Sequence, residues 1–256
     1  MAHDSGSPAD PGEVLAVLHR AAAAVRAELA GATDFGLTGE VAGQHHSDLV
    51  ADAAALAVLT AAGFGVLSEE SGLSEGERDV VVALDPLDGS TNAAQGIPWY
   101  AVSLCALDGA GPLASVVVNL PTGDTFEAVR GGGARRNGAP ISVTDIRSVG
   151  AAMVGISGWP SKNLGWRQFR ALGAASLDLC LVACGALDAW VDCSADAHGP
   201  WDYLGAMLVC LEAGAVAADS RGRDLIVLEH DARRTLVVAA TPTLLADLLA
   251  ARRSFD

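Results

Sequence analysis

Apolar residues recur at helical spacing in the first quarter of the chain. Val14, Leu15, Leu18, Val25 and Leu29 form one stripe, which predicts a helix over Pro11–Ala30 that ends at Gly31. A second helix is predicted from Asp48 through Leu59, with Gly63 as its stop. The segment 31–47 between them is rich in glycine and polar residues, and it is predicted to be a loop.

Short apolar and alternating runs follow, which is the pattern of strands. Phe64–Leu67 and Val80–Leu84 are compact runs typical of buried strands. Further strands are predicted where residues alternate or are β-branched, with turn residues between them, at Trp99–Leu107, Leu113–Leu120 and Thr125–Val129. The sequence therefore predicts an antiparallel meander in the middle of the chain.

The last third returns to mixed patterns. One helix is predicted around Leu177–Cys184, ending at Gly185, and another after Trp201-Asp202. Strands are then predicted at Val216–Asp219, Leu225–Leu228 and Leu236–Ala239, before a closing helix over Leu244–Leu249. No repeat, low-complexity tract or linker divides the chain.

Composition and charge exclude several classes of protein. With 51% hydrophobic and 18% charged residues, the 256-residue chain is typical of a globular protein. No apolar run approaches the ~20 residues that cross a bilayer, so no membrane role is expected. A formal net charge of −15 argues against a nucleic-acid partner. Met1–Gly12 lacks the layout of a signal peptide, and the five cysteines show no zinc spacing, so a cytoplasmic protein is expected.

The candidate chemistry centres on Asp85-Pro86-Leu87-Asp88-Gly89-Ser90-Thr91-Asn92, directly after the Val80–Leu84 strand. Two carboxylates three positions apart on a turn can aim at one point. The Leu87 carbonyl and the hydroxyls of Ser90 and Thr91 complete a set of hard oxygen donors, which Mg²⁺ prefers. The Gly89 and Ser90 amides can receive an anion at a helix start. Simple turn capping by the two aspartates explains the same residues equally well.

Two more acidic pieces lie at the ends of apolar elements. Glu69-Glu70-Ser71-Gly72 follows the first short strand, and Trp201-Asp202 opens a predicted helix. Together with the central motif they resemble the inositol monophosphatase superfamily of magnesium-dependent, lithium-sensitive phosphomonoesterases. The resemblance runs from about residue 48 to the region of Gly214.

The resemblance implies a fold as well as an activity. It implies an α/β layered sandwich of the order αβαβα, in which a large antiparallel sheet and a smaller mixed sheet alternate with helix pairs. We expect an N-terminal half, residues 1–145, that carries the metal-binding motifs, and a C-terminal half, residues 146–256, that completes the site. A homodimer is also expected.

The resemblance further implies a ligand set. One Mg²⁺ is expected at Glu69, Asp85 and the Leu87 carbonyl, and a second at Asp85, Asp88 and Asp202, with Mn²⁺ as an alternative ion. Glu69 and Ser90 are expected to orient and deprotonate the attacking water. A further metal position in the family uses an aspartate in a segment that is two residues shorter here, which makes Asp52 the candidate for a third ion.

Substrate contacts are expected on both sides of these ligands. Gly89, Ser90 and Thr91 are the phosphate-side candidates. Gly173, Ala174 and Ala175 stand at a predicted helix start, where either substrate contact or tight helix packing requires small residues. Asp192 matches a family glutamate that binds a substrate hydroxyl, although it is one methylene shorter. His45 and His46 are predicted to form surface hydrogen bonds or face solvent, with substrate contact as the alternative.

The predicted activity is hydrolysis of a small polyol or cyclitol phosphate, such as inositol monophosphate, by water that a metal ion activates. The alternatives are histidinol phosphate, fructose 1,6-bisphosphate and 3′-phosphoadenosine nucleotides. The two bisphosphates are disfavoured because the chain shows no evident set of basic residues for a second phosphate. A non-catalytic metal-binding regulator with the same fold is the alternative from another class.

Overall fold

Six helices are described by the computed structural model, which covers residues 9–32, 34–39, 44–74 and 78–253. They are α1 (Pro11–Ala30), α2 (His46–Ala61), α3 (Ser90–Ala94), α4 (Ala175–Ala183), α5 (Pro200–Glu212) and α6 (Pro242–Arg252). Helix α1 has the predicted bounds, and the Asp10 side chain caps it by accepting from the amides of Gly12 and Glu13. The predicted 31–47 loop and the start of the chain lie partly outside the described residues.

The large sheet has eight strands in the order β2-β1-β3-β4-β5-β6-β7-β8. The strands are β1 (Gly65–Ser68), β2 (Gly72–Leu73), β3 (Val81–Asp88), β4 (Ala101–Asp108), β5 (Gly111–Asn119), β6 (Thr125–Val129), β7 (Gly133–Arg136) and β8 (Ala139–Pro140). Neighbours are antiparallel except β1 and β3, which run parallel. The predicted meander is β4-β5-β6, and the parallel pair makes the large sheet mixed.

Strand β3 continues further than the sequence predicts. We expected a strand that ends at Leu84 and a turn that carries the two aspartates. Instead the pairing with β4 runs on to Asp88, with a register shift between Asp85 and Asp88. A bulge of this kind bends a strand and re-aims its side chains without ending it. Both aspartates are therefore held by the sheet.

The small sheet has five strands in the order β10-β9-β11-β13-β12. They are β9 (Met153–Ser157), β10 (Gln168–Arg170), β11 (Ala189–Asp192), β12 (Val216–Asp219) and β13 (Leu236–Ala239). The pairs β9–β10 and β9–β11 are parallel, whereas β11–β13 and β12–β13 are antiparallel. The expected smaller mixed sheet is confirmed.

The layers follow the predicted αβαβα order. Helices α1 and α2 cover one face of the large sheet, while α4 and α5 fill the space between the two sheets and α6 covers the outer face of the small sheet. Helix α5 packs very close to β4 at Gly205. A Cβ atom at this position would lie 2.6 Å from the Ser103 hydroxyl, so only glycine fits there. Buried apolar cores fill the space between these layers and hold β1, β3 and α5 in place.

One predicted strand is wrong, because Leu225–Leu228 has no strand structure. Leu225 and Leu228 are half-buried against the core between the sheets, and the Leu225 carbonyl accepts a hydrogen bond from the Tyr203 hydroxyl. The apolar spacing there reflects packing of an irregular segment onto α5. The division of the chain at residue 145 stays a prediction.

Candidate functional site

Three acidic side chains converge where β1, β3 and α5 meet. Glu69, Asp85 and Asp202 each offer a carboxylate oxygen, and these oxygens all lie within 4.8 Å of one another. Glu69 is exposed, Asp85 is buried and Asp202 is half-buried. The three residues are separated widely in sequence, so only the fold brings them together. We call them the carboxylate cluster.

Backbone hydrogen bonds fix each member of the carboxylate cluster. The Glu69 amide donates to the Leu84 carbonyl at 3.1 Å, which ties the end of β1 to β3. Asp85 Oδ1 accepts from the Leu87 amide at 3.0 Å. Asp202 Oδ2 accepts from the Gly199 amide at 2.7 Å, just before the start of α5. The carboxylates of Asp85 and Asp202 are therefore each anchored by a backbone amide, whereas Glu69 is held through its own amide.

The cluster carries more negative charge than its surroundings neutralise. Desolvation and the neighbouring Glu69 raise the pKa of Asp85 well above its ordinary value. Glu69 is exposed as a residue, but its carboxyl group is desolvated and lies near Asp202, and these two causes raise its pKa to about 9. Carboxylates whose pKa values rise together repel one another, and a cation bound between them would shift those pKa values downwards. Oxygen ligands of this kind, converging on one point, fit Mg²⁺.

Asp88 lies beside the cluster but is turned towards α4. Its Oδ1 accepts from the Ala175 amide at 3.1 Å, and its Oδ2 accepts from the Ser176 amide at 2.7 Å and from the Ser176 hydroxyl. Burial raises the pKa of Asp88 to about 6. Asp88 therefore caps the start of α4 from across the cleft. The same side chain also lies next to the carboxylate cluster.

Two small-residue segments meet at this cleft. Gly89 has φ 86°, and an ideal Cβ there would lie 3.1 Å from the Ala174 Cβ and 3.2 Å from the Gly173 carbonyl. Only glycine suits this left-handed and crowded position. The structure thus brings Gly89 against Gly173 and Ala174. Thr91 is exposed and lines a separate depression with Phe35 and His45.

A cavity of about 790 Å³ opens beside these residues. Asp88, Asp202 and the Gly173–Ala175 segment line it, as does Asn92 of the central motif. Several residues that the sequence did not single out also line it, among them Trp99, Ser157, Asp178, Trp190 and His198. Asn92 Nδ2 donates to the carbonyls of Trp99 (2.8 Å) and Leu172 (2.9 Å), so it ties the motif to both walls. The Trp99 indole donates to Asp178 at 2.8 Å.

Comparison with known proteins places the chain among phosphatases. The sequence profile described as the inositol monophosphatase family matches residues 10–255. The chain belongs to the inositol monophosphatase family. It is a phosphatase, a phosphoric monoester hydrolase.

Relatives and solved structures of this family give the same result. The chain is 36% identical over 210 residues to the fructose-1,6-bisphosphatase/inositol-1-monophosphatase of Archaeoglobus fulgidus, covering 79% of this chain and 81% of that protein. It is 34% identical over 196 residues to the fructose-1,6-bisphosphatase of Pyrococcus furiosus, covering 75% of this chain and 76% of that protein. The crystal structure of extragenic suppressor protein suhB from Bartonella henselae superposes with a TM-score of 0.79 at 27% identity, covering 94% of this chain and 98% of that one.

Within this inositol monophosphatase family member, four other residues that the sequence analysis named lie outside the cavity lining. Asp192 is fully buried at the end of β11, where its Oδ2 lies 2.9 Å from His198 Nδ1. Asp52 lies on α2 and accepts a hydrogen bond from the Ser68 hydroxyl, one residue before Glu69. His45 Nδ1 lies 2.7 Å from the Phe35 carbonyl, and exposed His46 lies 4.0 Å from Asp34.

A segment of the C-terminal half closes over the Trp-Asp pair of this phosphatase. His230 Nε2 lies 3.0 Å from the Glu69 carbonyl, and its ring lies 4.9 Å from that of Trp201. The Arg233 guanidinium lies 5.0 Å from the Trp201 ring on a cation–π contact. The loop before β13 thus links two of the segments that carry the carboxylate cluster. Among the described helices, none is long and apolar enough to cross a membrane.

Proposed function

We propose that this phosphatase is a Mg²⁺-dependent phosphomonoesterase that hydrolyses a small polyol or cyclitol monophosphate, such as inositol monophosphate. The carboxylate cluster beside the cavity supports this proposal most strongly, because three carboxylates offer oxygens within 4.8 Å of one another, which is the kind of ligand set that Mg²⁺ prefers. A metal-binding regulator without catalysis would need these ligands but not the cavity of about 790 Å³ beside them.

The acidic residues have separate tasks in this proposal. Glu69, Asp85 and the Leu87 carbonyl hold one ion, and Asp85, Asp88 and Asp202 hold a second, with Mn²⁺ as a possible replacement. Bound Mg²⁺ supplies positive charge for the phosphate and leaving-group oxygens. Glu69 and the Ser90 hydroxyl are assigned to orient a water and accept its proton. Asp52 is the candidate ligand for a third ion.

The remaining contacts position the phosphate and the alcohol. Phosphoryl transfer passes through a loose transition state, so positioning and charge stabilisation do most of the work. The Gly89 and Ser90 amides are assigned to the phosphate oxygens, with the Thr91 hydroxyl as a further candidate. Gly173 and Ala174 lie directly against Gly89, and together with Ala175 they line the cavity, so these three residues are assigned to the leaving alcohol.

The cavity favours a monophosphate over a bisphosphate. No lysine or arginine is among the described residues that line it, and a second phosphate would call for such side chains. Fructose 1,6-bisphosphate is still the second candidate, because two relatives at 36% and 34% identity carry that activity in their names. Histidinol phosphate and 3′-phosphoadenosine nucleotides complete the set of substrates to be compared.

The deciding experiment is a substrate panel assayed by phosphate release. The panel contains inositol 1-phosphate, fructose 1,6-bisphosphate, histidinol phosphate, a 3′-phosphoadenosine nucleotide and p-nitrophenyl phosphate. We expect the highest kcat/KM for the polyol monophosphate, activity with Mg²⁺, and none after chelation with EDTA. Full activity in EDTA would refute the metal dependence, and a preference for the bisphosphate would replace the proposed substrate class. The homodimer, cytoplasmic location and lithium inhibition stay predictions.

A further inference from the structure

His198 lines the cavity next to Ser157 and Trp190. The same cavity is lined by Asp88 and Asp202, which the proposed function assigns to the second ion, and by the Gly173–Ala175 segment, which it assigns to the leaving alcohol. A leaving alcohol bound in this cavity therefore shares it with His198. This residue was not singled out in the sequence, because a lone histidine before a Trp-Asp pair carries no signal of its own.

The His198 ring is held in one orientation from two sides. Asp192 Oδ2 lies 2.9 Å from Nδ1, and the Trp190 ring meets the imidazole edge at 73° with centroids 5.4 Å apart. The backbone is fixed as well, because the amides of His198 and Arg234 each donate to the carbonyl of the other. Nδ1 is engaged by Asp192, so Nε2 is the nitrogen left for another partner.

A hydroxyl stands beside that free nitrogen. Ser157 Oγ lies 3.5 Å from His198 Nε2, at the outer limit of a hydrogen bond, and both residues line the cavity. An imidazole nitrogen and a serine hydroxyl can each donate or accept, according to their protonation and rotation. A substrate hydroxyl is also both donor and acceptor, so it can satisfy the pair in either protonation state of the ring.

Asp192 itself is in the wrong place to make this contact. Its side chain is fully buried, it is not among the residues that line the cavity, and its Oδ1 already accepts from the Ser194 amide at 2.9 Å. The His198 side chain keeps 12% of its surface exposed. The imidazole therefore stands between the aspartate and the cavity.

We propose that His198 is a specificity-determining residue, whose Nε2 contacts a hydroxyl of the leaving alcohol together with Ser157, and that Asp192 is a positioning residue that acts through His198. The inference rests on the proposed phosphatase function and names the residues that would recognise a further hydroxyl of the polyol.

The test compares two esters in one set of variants. For each variant, kcat/KM is measured with Mg²⁺ for the best polyol monophosphate of the panel and for p-nitrophenyl phosphate, which has no such hydroxyl. His198→Leu should lower the polyol value by about 10- to 100-fold, since a lost substrate hydrogen bond has that effect, and should change the p-nitrophenyl value less than about 3-fold. Ser157→Ala should lower the polyol value only about 2- to 5-fold, because the imidazole contact remains.

A matched control separates specificity from stability. His19 is another half-buried histidine paired with an acid, since its Nε2 lies 2.7 Å from Glu127 Oε2, and it is remote in the fold from the cavity lining. His19→Leu removes the same kind of pair, so it should leave the ratio of the two kcat/KM values unchanged even if it lowers the melting temperature. His198→Leu should change that ratio by an order of magnitude.

Asp192→Asn tests the positioning role by a double-mutant cycle. Alone it should lower the polyol preference, but less than His198→Leu, and in the His198→Leu background it should change the ratio no further. Equal losses of kcat/KM for both esters in His198→Leu would overturn the specificity role. A further change of the ratio by Asp192→Asn in the His198→Leu background would overturn the positioning role of Asp192. If the wild-type protein hydrolyses neither ester with Mg²⁺, the phosphatase proposal itself fails and this assignment falls with it.

Discussion

Two acidic regions of this phosphatase have opposite electrostatics. In the carboxylate cluster, desolvation and like charges raise the pKa values of Glu69 and Asp85. At the end of β12, Asp219 is also buried, yet hydrogen bonds from Arg223 and from the Thr235 amide lower its pKa to about 2. The second region includes Asp196, Asp219, Arg221 and Arg223, and we call it the ion-pair cluster.

The difference shows which acids serve the fold and which serve the chemistry. In the ion-pair cluster each aspartate has an arginine within 2.8 Å, so the fold neutralises its own charge. In the carboxylate cluster the negative charges face one another, and the fold is more stable when a cation or protons are added. The acidic residues of one chain therefore include some that arginines neutralise and others that repel one another. The following experiments break or sharpen this contrast.

The largest expected effect is the loss of activity in Asp85→Asn. This carboxylate is assigned to both ions, and removing its charge should lower kcat/KM about 10³-fold or more, since metal-ion catalysis contributes several kcal/mol. Asparagine has nearly the same shape, and one repulsive charge is gone, so the melting temperature of the metal-free variant should stay the same or rise. Substantial residual activity in a folded variant would show that Asp85 does not hold the ions.

The next effect is on stability as a function of pH, measured by thermal melting with Mg²⁺ and with EDTA. The pKa of Asp88 is raised from 3.8 to about 6 and that of Glu69 from 4.5 to about 9 in the folded protein. The folded state thus binds more protons than the unfolded state in this range, so metal-free stability should fall as pH rises from about 4 to about 9. At about 1.4 kcal/mol per pKa unit, Asp88 alone contributes about 3 kcal/mol.

Saturating Mg²⁺ should remove most of that pH dependence, because it takes the place of the protons. The ion-pair cluster should add nothing to it between pH 5 and 9, as the lowered pKa of Asp219, about 2, means that its stabilisation is lost only as pH falls below about 4. Equal melting curves in Mg²⁺ and EDTA across this range would contradict the view that the carboxylate cluster is the uncompensated one.

Asp219→Asn should have the reverse effect of Asp85→Asn. Asp219 accepts from the Arg223 guanidinium at 2.8 Å and from the Thr235 amide at 2.9 Å. Removing one partner of a buried pair costs about 3–5 kcal/mol, but the Arg223 side chain is 34% exposed and solvent screens its charge, so we expect about 2 kcal/mol. Urea unfolding should show this loss, whereas kcat/KM of the folded variant should stay within about 2-fold of wild type. A larger fall in kcat/KM would connect the ion-pair cluster to catalysis.

The members of the carboxylate cluster could be predicted from the sequence, whereas the pairs of the ion-pair cluster could not. Glu69, Asp85 and Asp202 could be found because each lies where an apolar element begins or ends, in motifs that resemble a family. The pairing of Asp219 with Arg223 has no comparable motif. His198 and Asp178 were missed for a related reason, since their roles depend on which walls the fold brings around one cavity.

The elements were predicted best where periodicity was long. Helix α1 has the predicted bounds, because one stripe persists over its whole length. Strand β3 was predicted too short, since Pro86 and the aspartates signal a turn locally, whereas pairing with β4 carries the strand past them. Leu225–Leu228 was predicted as a strand from apolar content alone, and burial against α5 produces the same content without a sheet partner.

The smallest expected effect concerns Asp52, which lies between the two extremes. It is buried and its pKa is raised by that burial, but the Ser68 hydroxyl donates to it, so it is partly compensated. Ser68 directly precedes Glu69, so Asp52 can support the metal site through that contact or as a ligand of a third ion. Asp52→Asn should raise the Mg²⁺ concentration for half-maximal activity about 10-fold, with little change at saturating Mg²⁺. Asp188→Asn is the matched control, because Asp188 is also buried and accepts a hydrogen bond from the Thr144 hydroxyl, but it precedes β11 and does not line the cavity. The control should lower stability by about 1 kcal/mol, as expected for a weakened buried hydrogen bond, without moving the Mg²⁺ requirement. If both variants shift the Mg²⁺ requirement equally, the effect of Asp52 comes from the general loss of a buried negative charge, and its assignment to the metal site is wrong.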